Sequence, residues 1–495
     1  MHCYFALCTI YLTVLHHAVS LNVLITSVCL RDNYNSIADT ALELHRRNHK
    51  VEVVLYGSCI SWAEELVKAG ISVTETPSID LANLSVDPHD DLANSYEEIS
   101  NRFEIVYPQT HQEISSLMKE KTSTFDVILS CEHSLGTLVY SERQAIPAVV
   151  SYQITPPLTE NFYSCPTINY NCLMMLFTYS YSLRSLYYEG MRKINILREA
   201  HSLSGRFSSP AEYHTKFYIA VQGSPNLLNT KGQSSKYLKY VGYKPRVSTS
   251  ELEEKLQKWI DSSEKSIIFI SLGLQTHIDF DELVTSDEIK SSPYRFLYSL
   301  NLDEIKYFSD KGINSLVFEH IYIMGFLTES KILSNPKIKY FVSNCDGGSL
   351  LTAFGAGIPT LCRPGYGDQI ILANLVTELQ LGNTITGSLE FTNVNTSVVS
   401  ADVLYKKFKS NVGVMKSSLS DIGGYVALAD YVEQVQKKGV IPENNEFPLP
   451  FLFTTGVRYL PQLIALLIGG LFIGLNILLF AIYIMSSSSK RLKKD

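Results

Sequence analysis

Cysteine is scarce in this 495-residue chain: there are nine, and the seven beyond residue 20 are scattered at 29, 59, 131, 165, 172, 345 and 362. No spacing repeats in the manner of a metal cluster, so neither a metal nor a resident cofactor is expected. No disulfide framework is indicated either. An odd count in an oxidising compartment leaves at least one thiol unpaired, and Cys165 with Cys172 is one open pairing. Charge is also sparse. Asp, Glu, Lys and Arg make up 18% of the chain, and the net charge of −7 is spread without a basic patch. That argues against a nucleic-acid partner.

What is present begins with two apolar ends. The run from Tyr4 to Leu15, followed by small Ala18 and Ser20 around Val19, has the pattern of a secretory signal peptide over residues 1–20. A buried first strand is the competing reading, but Leu21 to Ile25 makes a better one. Leu463 to Met485 is almost wholly apolar, with Tyr459 and Tyr483 near its ends and Lys490, Arg491, Lys493 and Lys494 beyond it. Such a length spans a bilayer, interfacial aromatics mark its borders, and clustered positive charge marks the cytosolic side. The expectation is a single-pass type I protein, with a transmembrane helix over 460–485, a cytosolic tail at 486–495 and a lumenal folded part. A glycolipid-anchor signal would end in its apolar tail. Lys493 with Arg491 nearly matches a dilysine retrieval signal, which points to the endoplasmic reticulum. The sequons at Asn83 and Asn395 fit a lumenal chain.

The roughly 430 residues between suffice for two domains. Asn22 to Val28 and His49 to Leu55 are β-branched apolar runs flanking helical spacing over Ser36 to Arg47. Strand, helix and strand in this order imply a parallel sheet with a right-handed crossover. Phe125 to Leu129 and Ile146 to Tyr152 repeat the pattern, as do Ser266 to Ile270, Lys339 to Val342 and Ile358 to Leu361 in the second half. The fold class is therefore α/β, with two doubly wound halves, 21–235 and 236–445, facing a cleft. Asn171 to Tyr188, rich in Leu, Met, Phe and Tyr, is either a buried helix or a membrane-apposed surface.

Ligands of such sheets gather at the carboxyl ends of strands. Arg31 to Asn33 and Ser130 to Ser134 fall there in the first half. In the second, Asp346-Gly347-Gly348-Ser349 lies between strand and helix, where backbone N–H groups and the helix terminus favour a phosphate. A tight turn would need the same glycines. Asp368 and Gln369 close the next loop and suit sugar hydroxyls, or else serve as the first polar turn of a helix.

From Phe326 to Gln369 the chain resembles the donor-binding signature of the UDP-glucuronosyltransferase family. It carries Phe326-Leu327, Ile332-Leu333, Pro336, Phe341-Val342, Gly347-Gly348, Gly357-Ile358-Pro359, Pro364 and Gly367-Asp368-Gln369 in that family's spacing. Ile268 to Gly273 resembles its phosphate-side strand, which brings in Ser271 and Gly273. The resemblance implies a GT-B architecture and transfer of a hexosyl or glucuronosyl group from a UDP-sugar to a small, apolar acceptor.

Several positions depart from that pattern. The family's base, a His, falls on Asn33, and the Asp that orients it falls on Cys131. Asn cannot take a proton at neutral pH. Three readings follow: Asp32 or Glu132 substitutes from one residue away, His133 supplies the imidazole, or the acceptor needs no strong base. On the donor side the phosphate-binding His is Asn344, the ribose-binding acid is Thr352, and the uracil-side Trp and Gln are Phe326 and Glu329. A non-catalytic protein binding a ligand or partner is the alternative these losses raise. Oligomeric assembly is open.

Overall fold

The computed structural model describes residues 20–29, 31–57, 59–76, 110–112, 114–116, 124–154, 191–207, 213–225, 227, 237–246, 252–272, 287–300, 315–325, 329–364, 368–385 and 391–441. The expected signal segment up to residue 19, Asn171 to Tyr188, Cys165, Cys172, Asn83, Gly273, Phe326 and the 460–485 segment lie outside them. Among the described residues, no helix is long and apolar enough to cross a membrane.

The first sheet begins with β1 (Asn22–Val28), an apolar run whose residues from Val23 onward are all buried. The helix α1 (Arg31–Arg46) returns the chain to β2 (Lys50–Tyr56), paired parallel with β1. Then come β3 (Ser72–Thr76), β4 (Val127–Cys131), α2 (Leu135–Gln144), β5 (Ala148–Tyr152), β6 (Tyr218–Val221) and β7 (Leu238–Tyr240). The order is β3-β2-β1-β4-β5-β6-β7, and every pairing is parallel. The direction of winding reverses between β1 and β4, which opens a crevice at their carboxyl ends.

After α3 (Glu254–Asp261), the second sheet is built from β8 (Ile267–Ser271), β9 (Arg295–Ser299), β10 (Ser315–Val317) and β11 (Ile321–Met324). It continues through α4 (Glu329–Leu333), β12 (Ile338–Ser343), α5 (Gly347–Ala356), β13 (Thr360–Cys362), α6 (Asp368–Glu378) and β14 (Gly382–Thr384). Its order is β10-β11-β9-β8-β12-β13-β14, parallel except where β10 meets β11. The reversal here lies between β8 and β12. Three helices close the described chain: α7 (Phe391–Ala401), α8 (Tyr405–Ile422) and α9 (Tyr425–Lys438).

Three details differ from the sequence expectation. Helix α1 starts at Arg31, so Asp32 and Asn33 lie in its first turn and not in a loop before residue 36. The first sheet runs on to β7, past the boundary expected at 235, because Ile219 to Val221 have a free edge for Leu238 to Tyr240 to pair with. Helix α9 belongs to the first half's core: Leu428, Tyr431, Val432 and Val435 pack with Leu129, Val149, Tyr218 and Ala220. Arg47 fixes its outer side, contacting Asp430 at 2.6 Å and Glu433 at 2.9 Å.

Among the described residues two disulfides are present where no framework was expected. Cys29–Cys59 joins the end of β1 to the segment after β2, and Cys345–Cys362 joins the residues leaving β12 and ending β13. Spacings of 30 and 17 residues carry no signature. It is parallel pairing that brings the partners together. Cys131 is a buried free thiol.

Candidate donor site and acceptor edge

In the second sheet, β8 and β12 end side by side, with Ser271 in register with Ser343. Beyond Ser343 the chain turns sharply. Cys345 has φ +62°, a left-handed conformation uncommon for a residue with a Cβ. Its disulfide to Cys362 holds the turn from the neighbouring strand. Asn344 stays within the turn, its Oδ1 accepting from Asp346 N at 3.3 Å.

Asp346 then caps α5: its Oδ1 accepts from Ser349 N at 2.8 Å. A helix N-terminus carries partial positive charge and unsatisfied N–H groups, and here a carboxylate already answers both. Ser349 Oγ lies 3.1 Å from Asp346 Oδ2 and 3.3 Å from Glu329 Oε2. Ser271 Oγ donates to Glu329 Oε1 at 2.8 Å. Glu329, first residue of α4, is only 4% exposed. The turn expected to cradle a phosphate therefore holds two carboxylates of the protein itself. Thr352 Oγ1 donates back to the Gly348 carbonyl at 2.9 Å and meets Tyr243 Oη at 3.3 Å. Gly347 faces the first half closely, since a Cβ there would come 2.7 Å from Gln153 Oε1. Gln153 directly follows β5.

Asp368 and Gln369 open α6 one strand further, and Gln369 is buried. Both the first-turn reading and the edge location hold for them. Between α5 and α6 stands Arg363, whose backbone N–H donates to the Ser343 carbonyl at 2.7 Å. Among the described residues its Nη1 reaches the Pro364 carbonyl at 3.5 Å, and its Nε is buried without a hydrogen bond. Burial pulls its pKa down.

At the carboxyl edge of the first sheet, Cys131 ends β4 fully buried. Its Sγ meets Ser134 Oγ at 3.0 Å and accepts weakly from Val28 N at 3.5 Å. Burial pushes the thiol up, so it is neither a thiolate nor a substitute for a charged orienting acid. Glu132 and His133 follow, with His133 Nε2 4.0 Å from Glu132 Oε1. Burial holds the His133 imidazole down at about 4, although 28% of its side chain stays accessible. It is neutral at pH 7 and a weak base.

Deeper in lies His214, held down at about 3 by burial and secondly by His133. Its Nδ1 is hydrogen-bonded to Tyr152 Oη, and its Nε2 has no hydrogen bond. The helix-start residues Asp32 and Asn33 share this edge through the backbone of α1. Asn395, the second sequon, lies within α7, and its Oδ1 accepts from Ser292 Oγ at 2.9 Å. Among the described residues, no group of His, Cys, Asp and Glu is arranged to hold a metal.

Sequence reasoning missed Asp346 as a cap, Glu329 as a partner of Ser271, and the isolation of Arg363. The Asp-x-x-Ser spacing ahead of a helix was a usable signal for the first. A charged residue ending the apolar run Thr360-Leu361-Cys362 was one for the last. Nothing local links Glu329 to a serine 58 residues away.

No family profile matches the chain. It is 28% identical over 186 residues to a flavonol 3-O-glucosyltransferase of Actinidia chinensis, covering 36% of this chain and 40% of that one. It is 28% identical over 160 residues to UDP-glycosyltransferase 84A2 of Arabidopsis thaliana, covering 31% and 32%. The similarity thus spans well under half of these relatives. Among solved structures, the glycosyltransferase of kitacinnamycin superposes with a TM-score of 0.60 at 13% identity, over 84% of this chain and 99% of that one. UGT89C1 of Arabidopsis thaliana, solved with UDP, gives 0.58 at 12% identity, over 84% and 100%. At such identities the structures speak for the fold alone, which is GT-B. Over those stretches of sequence the chain is similar to UDP-glycosyltransferases.

Proposed function

We propose that the chain transfers a hexosyl or glucuronosyl group from a UDP-sugar to a small, apolar acceptor, with inversion at the anomeric carbon. One observation carries this reading: the β12–α5 turn opens at the switch point of the second sheet, within reach of Gln153 from the first. The acceptor oxygen would attack the anomeric carbon while the bond to the diphosphate breaks and UDP leaves with its electron pair. The acceptor's proton would pass to a group at the β4 edge, where neutral His133 and Glu132 are the nearest candidates. Asp368 and Gln369 would hold sugar hydroxyls. Incubating the purified full chain with UDP-glucose or UDP-glucuronic acid and a panel of lipophilic alcohols should release UDP and yield glycosides. Absence of product across the panel would sink the reading.

The buried neutral Cys131 favours a second reading, a ligand-binding protein without turnover. The same incubation decides between them, since any acceptor-dependent product ends it. We further propose a lumenal folded part, anchored by 460–485 in the secretory pathway. Two disulfides support it, because such bonds persist in oxidising compartments.

A further inference from the structure

Two arginines among the described residues, Arg198 and Arg47, are compensated by carboxylates. Arg198 meets both Glu142 oxygens at 2.8 Å and two backbone carbonyls besides. Arg47 meets Glu43, Asp430 and Glu433. Arg363 is the contrast: half-buried, with an unsatisfied Nε, one long contact to Pro364 and, among the described residues, no acidic partner. Leaving a desolvated charge unpaired is costly, so such a group is best explained by something that completes it.

Its position says what. The N–H bond to Ser343 and the Cys345–Cys362 disulfide hold Arg363 beside the β12–α5 turn, at the edge where Asp368 and Gln369 also emerge. At that turn, Asp346 already occupies the α5 terminus and Glu329 engages the serine hydroxyls. An incoming anion meets two carboxylates there and needs a cation.

We propose that Arg363 holds an anionic oxygen group of the sugar donor, either its diphosphate or the carboxylate of a uronic acid, an assignment that rests on the UDP-sugar reading above. A guanidinium suits both, because its forked N–H groups pair with two oxygens of one planar or tetrahedral anion.

Calorimetric titration of the detergent-solubilised full chain with UDP, UDP-glucose and UDP-glucuronic acid tests it, comparing wild type, Arg363→Met and Arg363→Lys. Thermal unfolding of each variant verifies the fold. Loss of a charged hydrogen bond predicts about tenfold weaker binding for the Met variant. A loss shared by all three ligands assigns the diphosphate, and a loss confined to UDP-glucuronic acid assigns the carboxylate. The Lys variant should fall between, keeping charge without the fork. Unchanged affinity of Arg363→Met for every ligand overturns the assignment and leaves the donor reading standing. A wild type that binds no uridine nucleotide overturns both. Should the Met variant fail to fold, wild-type affinity in the Lys variant overturns the assignment, and a loss supports it.

Discussion

His214 shows how far a single side chain can be displaced from its solution chemistry. Its folded pKa lies near 3, below the ordinary value of 6.5, so its contribution to stability is complete above pH 6.5 and is lost as pH falls toward 3. Replacing it by Gln should flatten the acid limb of the stability curve. At pH 5 the gain relative to pH 7.5 should be about 2 kcal/mol, read from urea unfolding at the two pH values. Asp346 acts in the opposite sense, as a stabilising cap. Asp346→Ala should cost about 1 kcal/mol, and Asp346→Asn much less, in the same unfolding assay. Neither role was legible in the sequence with equal ease. The cap follows from residue spacing, whereas the burial of His214 depends on Tyr152 and His133, which lie far off in the chain. The departures expected at Asn33 and Cys131 came from the family pattern. That the thiol is sealed among Val28 and Ser134 did not.

At the scale of elements, the strands were the readable part, since β-branched apolar runs at 22–28, 127–131, 267–271 and 338–343 are buried on both faces of parallel sheets. The partnership of α9 was not readable. An apolar helical stripe states that something will cover it, but not which sheet. Because Leu428 is buried in the first half's core, Leu428→Ala should destabilise by about 3 kcal/mol. Amide exchange should then quicken in β4 to β6, on which Leu428 and its neighbours rest. Faster exchange confined to the second sheet would contradict this packing.

The whole molecule is tied by covalent bonds as well as by its cores. Closing loops of 30 and 17 residues restricts the unfolded chain by about 3 kcal/mol each. Dithiothreitol should therefore lower the unfolding temperature, and thiol counting under denaturing, non-reducing conditions should leave Cys131 reactive but not Cys29, Cys59, Cys345 or Cys362. Equal reactivity of all five would refute the pairing. The pairs were illegible because the sequence does not state which strands lie side by side. Only the topology does.

The return of α9 to the first sheet also has a consequence for synthesis. Ribosomes deliver the chain from its amino end, and α9 emerges about 185 residues after β7. At 5–20 residues per second, Leu129, Val149, Tyr218 and Ala220 wait roughly 10–40 s with their cover still unmade. During that interval the nascent first half is an incomplete object whose apolar strands stay open to wrong partners until α9 arrives.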